Sequence, residues 1–297
     1  MNPGPWLGEL ASLSAAMIWA CSMSMYTRFG RSVAAAGLNL YKNIVALTCL
    51  LLTGLVLGFH WPETWRIGVF ALSGLIGLAL GDTLLFHGIK TVGVQRTSVI
   101  QCLAPPMAAL ISWLAFDETL SRWEWCGLIT TTGALALLIA SKKPKRVVSG
   151  GPGDNWGVLA ALAASVCQAL AVITLRQSIQ GVDVITGTIL RVLPAILVLS
   201  VVNSLRPGFE SLRDVFRPNR NGLILTLAAF MGTFLGLLLM STGAKYAKAG
   251  VTTAISSTYP VWILPIAHFI LGERVSWRSA GLTLVAVLGL GIMMIGE

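Results

Sequence analysis

The chain has 297 residues, of which 55% are hydrophobic and only 11% charged, and its mean hydropathy is +0.79. Soluble domains carry roughly 25% charged residues, so the composition excludes a soluble enzyme or a soluble binding module. The net charge of +9 is not a nucleic-acid signature, because the basic residues fall between apolar runs, where they orient a membrane protein.

Apolar runs of spanning length occupy about 8–27, 38–59, 67–89, 95–116 and 122–141, then about 156–176, 185–205, 222–243, 250–271 and 276–295. At ~20 residues per span this predicts an all-α integral membrane protein of about ten transmembrane helices. The first run lacks a basic leader and is too long for a signal-peptide core, so it is read as a retained span. Between the two sets lies a basic, Gly- and Pro-bearing stretch with Lys142, Lys143, Lys145 and Arg146, which cannot enter lipid. The expected organisation is a first five-span repeat over 1–141, a cytoplasmic linker over 142–155 and a second five-span repeat over 156–297.

The second half repeats the first. With a constant shift of 155 residues, Gly77 meets Gly232, Gly81 meets Gly236 and Gly88 meets Gly243. Lys90 likewise meets Lys245, Thr97 Thr252, Pro105 Pro260, Glu118 Glu273 and Ser121 Ser276. An odd number of spans per repeat forces the copies into opposite orientations, an arrangement found in secondary transporters. The glycines of spans 3 and 8, Gly74 included, share a helix face and read as close-packing positions. Ser121 and Glu124 form a capping box opening span 5, with Ser276 as the matching N-cap of span 10.

Basic residues set the orientation. Arg66, Arg122, Arg176, Lys245 and Lys248 lie on one side of the membrane, and the other basic residues outside the spans lie on the opposite side. The excess marks the cytoplasm, which places both termini outside it.

Polar residues inside spans are costly, about 2.5–3.5 kcal/mol for a charge at a helix centre, unless paired or wet. Lys42 in span 2 and Arg191 in span 7 occupy matching places, which in inverted repeats puts them near opposite mouths of one cavity. Two readings stand for them: attraction of an anionic or zwitterionic solute, or snorkelling to phosphate headgroups. Asp82 is the acidic residue well inside a span, with Leu237 as its repeat partner, and at similar depth to Lys42. It could bind a coupling proton, or form a fixed ion pair with Lys42. Trp19, Ser98, Gln101, Gln168 and Tyr259 are further candidates to line a binding site, and Pro105 and Pro260 read as mid-span kinks or hinges. Glu118 and Glu273, closing spans 4 and 9, read as helix-end structure.

His60, His87 and His268 have no ligand spacing, and none of the five cysteines forms a CxxC pair. There is no Walker A motif and no GxSxG, so no metal, nucleotide or other cofactor is expected and no catalytic residue is assigned.

The Lys90–Glu118 stretch (KTVGVQRTSVIQCLAPPMAALISWLAFDE), its copy Lys245–Glu273 (KYAKAGVTTAISSTYPVWILPIAHFILGE) and Trp19-Ala20 in span 1 resemble the EamA-type members of the drug/metabolite transporter superfamily. The resemblance extends over essentially the whole chain. It implies a cavity lined by spans 1–4 and 6–9, with spans 5 and 10 packed outside it, and transport by alternating access, commonly outward. The chain departs from many relatives in lacking a basic N-terminal tail. The expected function is a secondary active transporter of a small organic metabolite in the cell (inner) membrane, coupled to protons or driven by exchange. A homodimer through spans 5 and 10 is a further expectation. The rival reading, a membrane-embedded lipid-modifying enzyme, would need an acid, a base and a nucleophile clustered at one interface.

Overall fold

In lipid every backbone N–H and C=O must be satisfied within the protein, and this sequence solves the problem with helices. The computed structural model describes residues 6–29, 35–92, 94–140, 154–205, 220–259, 261–262 and 277–295, and among them there is no strand. The helices are α1 (Leu7–Phe29), α2 (Ala35–Leu57), α3 (Thr64–Thr91), α4 (Val94–Gln101), α5 (Ala104–Phe116) and α6 (Arg122–Ala140). They are followed by α7 (Asp154–Ile179), α8 (Val184–Ser204), α9 (Arg220–Tyr246), α10 (Ala249–Ser256) and α11 (Trp277–Ile295). Seven helical stretches among the described residues are long and apolar enough to cross a membrane, and Ala280–Met293 is a shorter apolar helix. Residues 142–153 of the linker, Pro260, His268, Glu273 and Ser276 lie outside the described residues, while Asp154 and Asn155 open α7.

The outer surface is apolar. Leu52, Val56, Leu114, Ile129, Leu197 and Leu288 are exposed along their helices, an apolar surface of the kind a membrane protein presents. Exposed tryptophans cluster at helix ends (Trp6, Trp65, Trp123, Trp156, Trp277), where indoles settle at a membrane–water boundary.

The two halves interlock as a two-fold pattern. α1 packs on α9 and α7 on α3, while α2 pairs with α8, α5 with α10 and α6 with α11. The glycines explain how closely the helices pack. A Cβ at Gly77 would lie 2.6 Å from that of Ala171 in α7, and at the equivalent Gly232 it would strike Ser22 in α1. Gly236 lies against the Trp19 indole, as Gly81 lies against Cys167. Thr131 of α6 donates to the carbonyl of Ala286 in α11 (3.3 Å), its own equivalent at the 155-residue shift.

The fold holds two features that a run of apolar residues does not announce. The i→i+4 ladder widens to π-helix at Leu75–Gly81 in α3 and at the same place, Phe230–Leu235, in α9. A π turn leaves carbonyls to be satisfied from outside the helix. Leu78 O takes the Asn39 amide at 2.7 Å, and Gly232 O takes the Trp19 indole N–H at 2.7 Å. The fourth span is interrupted rather than kinked: α4 ends at Gln101, Cys102 and Leu103 form a turn, and α5 opens with Pro105 in its first turn. The second copy turns at the equivalent Ser257 and Thr258.

One end of the bundle is tied by basic side chains. Arg66 at the start of α3 donates to Ser178 O (3.1 Å) and to Gln180 O beyond α7. Lys245 at the end of α9 donates to Val182 O (2.7 Å), and Arg176 to Ala244 O (3.0 Å). Cations there satisfy carbonyls at the ends of neighbouring helices and in the segment that follows α7. The start of α3 and the end of its repeat partner α9 therefore lie at the same end, so these two equivalents run antiparallel. The capping box is present as written: Glu124 N donates to Ser121 Oγ (3.2 Å), and Ser121 N to Glu124 Oε2 (2.5 Å), which also holds Lys248 (2.7 Å).

Overpacking a filled interface costs about 1–3 kcal/mol. Gly77→Leu should therefore lower the melting temperature of the purified protein, whereas Gly133→Leu, on an open face with nothing within 4 Å, should leave it unchanged. Equal effects in thermal denaturation would show that the α3–α7 contact is not as close as described.

Candidate functional site

The site is assembled from both repeats around one cavity of about 190 Å³. α1 supplies Trp19, Met23 and Tyr26, and α3 supplies Leu78, Asp82 and Phe86. Lys42 comes from α2, Gln168 from α7, Arg191 from α8, and Thr233 and Met240 from α9. Both broken spans reach it: Ser98, Gln101 and Cys102 on one side of the first break, and Thr253, Ser256, Ser257 and Tyr259 around the second. Spans 5 and 10 pack outside, except that Ile139 at the end of α6 touches the cavity wall. The eight residues singled out from the sequence as binding candidates all line this space.

Its centre is charged. Asp82 immediately follows the π-helical turn of α3, and its Oδ2 accepts from Lys42 Nζ at 2.5 Å. Its Oδ1 accepts from Gln168 Nε2 at 3.0 Å. The carboxylate is thus clamped between α2 and α7. Lys42 is buried and stands 6.0 Å from the Phe86 ring centroid, with Tyr26 edge-on to that ring at 6.4 Å. A cation over an aromatic face gains further electrostatic stabilisation.

Arg191 is 4% exposed, and among the described residues neither its Nε nor its Nη1 has a hydrogen-bond partner. Asp82 acts on it electrostatically, though no ion pair joins them. Its helix is pressed against α3, where Gly74 meets the Arg191 carbonyl, and its side chain extends past Gly77. A Cβ at Gly77 would stand at ordinary contact distance from Nη2 (3.8 Å), so the close approach this glycine permits is that of Ala171.

These positions revise one expectation. Lys42 and Arg191 line the same cavity, Lys42 in contact with Asp82 and Arg191 under its electrostatic influence. They do not reach toward headgroups: each sits two helical turns from the nearer end of its helix and is buried. Snorkelling needs a path to the interface, and a buried side chain pointed into a cavity has none.

The other candidates differ in how far they are already committed. Trp19 donates its indole N–H to Gly232, and Gln101 donates to Ala161 O at 3.2 Å. Ser98 lies beside the Tyr259 hydroxyl. Glu118 stands away from the cavity, held by Arg176 Nε (3.0 Å) and the Ala249 N–H (3.2 Å), as expected of helix-end structure. Tyr26, Phe86 and Thr233 were not singled out in the sequence. Phe86 could have been found one turn beyond Asp82, and Tyr26 two turns beyond Trp19, each on the same helix face.

The family model described as the EamA-like transporter family matches residues 6–140 and again 155–295. An uncharacterized transporter from Archaeoglobus fulgidus is 23% identical over 292 residues, covering 96% of this chain and 97% of that protein. A solved crystal structure superposes with a TM-score of 0.79 at 16% identity, over 96% of this chain and 95% of that one, which shows a shared fold. Two copies of the family's unit, apolar spanning helices and a polar cavity walled by both copies agree on one assignment: the chain is a multi-pass membrane protein of the EamA-like transporter family.

Proposed function

We propose that this protein is a secondary active carrier that moves a small organic solute outward across the cell membrane by alternating access, coupled to protons through Asp82. One observation carries the reading: Lys42, Asp82, Gln168 and Arg191 come from four helices of both repeats and meet at one cavity between them. A cavity held by both repeats is where a rocking motion of one repeat against the other would expose a solute alternately to the two sides. The paired breaks at Cys102–Leu103 and Ser257–Thr258 support this, since interrupted helices bend without loss of interior hydrogen bonds and line the same space. The antiparallel course of α3 and α9 supports repeats inverted across the membrane.

The proton reading rests on the lack of symmetry. Asp82 has Leu237 as its repeat equivalent, and among the described lining residues it is the single carboxylate beside two cations. Protonation of Asp82 would release Lys42, and deprotonation would recapture it, which gives the site two electrostatic states. The charge bias places both termini and the Arg66–Arg176–Lys245 end outside the cytoplasm, with the 142–155 linker inside. The outer faces of α6 and α11 carry exposed Ile129, Leu137, Leu284 and Leu288, surface suited to a second copy.

In proteoliposomes, Asp82→Asn should abolish solute movement driven by a pH gradient while sparing solute counterflow, because Asn keeps the shape but cannot release a proton. Recovery of gradient-driven transport in the double variant Asp82→Asn with Lys42→Gln would reduce Asp82 to half of a structural pair. A phosphatase reporter fused after Glu297 should be active, and one placed within 142–154 inactive; the reverse pattern would invert the orientation and leave the fold untouched.

A further inference from the structure

We propose that Arg191 is the ligand for a carboxylate on the transported solute, and that the cavity selects small organic monocarboxylates over zwitterionic, neutral and dianionic relatives. This rests on the carrier reading above and names its substrate class.

Three observations point the same way. The first is the state of Arg191, a guanidinium that is nearly fully buried and lines the cavity, with two nitrogens lacking partners among the described residues. Buried polar groups are almost always hydrogen-bonded, and a charged one left unsatisfied is costly. The planar fork of an arginine fits the two oxygens of a carboxylate along either edge that includes Nη2, so a bound solute of this class would give one of these two nitrogens a partner in a bidentate pair with Nη2.

The second is the charge balance. Among the described lining residues Lys42 and Arg191 are the cations and Asp82 the one anion. The excess is one positive charge, which a monoanion neutralises and a dianion overshoots. The third is the commitment of Asp82. Lys42 takes Oδ2 and Gln168 takes Oδ1, so an ammonium group on a zwitterionic solute meets a carboxylate whose charge is already paired. Lys42, held by the same contact, is kept off the solute, and the two cations serve different ends. Trp19, Met23, Phe86 and Met240 offer the remaining wall to an apolar body.

The test is calorimetric titration of the purified full chain with four solutes of one skeleton: hexanoate, 2-aminohexanoate, hexanamide and adipate, with butyrate and octanoate added to cover length. Hexanoate or a neighbour in length should bind at least about tenfold more tightly than the zwitterion, the amide or the diacid. Arg191→Lys should lose at least about tenfold, because a point charge does not replace the fork. Arg191→Gln should lose more, and if it fails to elute as a single folded species, Arg191→Lys decides. Equal binding of the amide or the zwitterion, unchanged binding in Arg191→Lys, or no binding of any carboxylate would overturn the proposal. Counterflow of a neutral or zwitterionic solute would then leave the carrier reading standing without it.

Discussion

A lysine, an aspartate and an arginine enclosed in an apolar helical bundle constrain everything around them. A charge at the centre of a spanning helix costs about 2.5–3.5 kcal/mol even on the mildest scale, and removing one partner of a buried pair costs about 3–5 kcal/mol. The Lys42–Asp82 contact at 2.5 Å fastens α2 to α3, and Gln168 extends the fastening to α7 in the other repeat. Arg191 is left over. Two of its nitrogens lack hydrogen-bond partners among the described residues, and the proposed carboxylate ligand rests on that observation.

The same constraint explains the backbone. π turns in α3 and α9 lie beside the charged cluster and shift the side chains that follow, so Asp82 emerges directly from one of them. Their freed carbonyls are satisfied by Asn39 and Trp19, which lock α2 and α1 to the turns. Near-identical packing of α3 on α7 and of α9 on α1 gives the halves a common geometry, and the substitution of Leu237 for a second carboxylate breaks the symmetry where charge is concerned. Shape is two-fold and electrostatics is not.

Much of this was legible in the sequence. Hydropathy and the 155-residue repeat gave the spans, and the pairing of Lys42 with Asp82 followed from counting depth along antiparallel helices. Ser121 and Glu124 announced their capping box through spacing alone. The π turns were illegible, because a widened turn depends on tertiary partners and Leu75–Gly81 reads as ordinary apolar helix. Pro105 signalled a disturbance but not its form: the helix ends before the proline, at Cys102–Leu103, and restarts with it. The direction of Arg191 was hidden for a related reason. Position along a helix gives depth, whereas the direction of a side chain depends on the tertiary packing around it.

A carrier differs from every rival in exposing one site to two compartments. Gln101 lines the cavity and is not part of the charged cluster, so a cysteine there, in a chain with the five native cysteines replaced, reports access. A membrane-impermeant thiol reagent should label Gln101→Cys from either face of sealed vesicles. Labelling from one face alone, at every pH and with or without solute, would contradict alternating access.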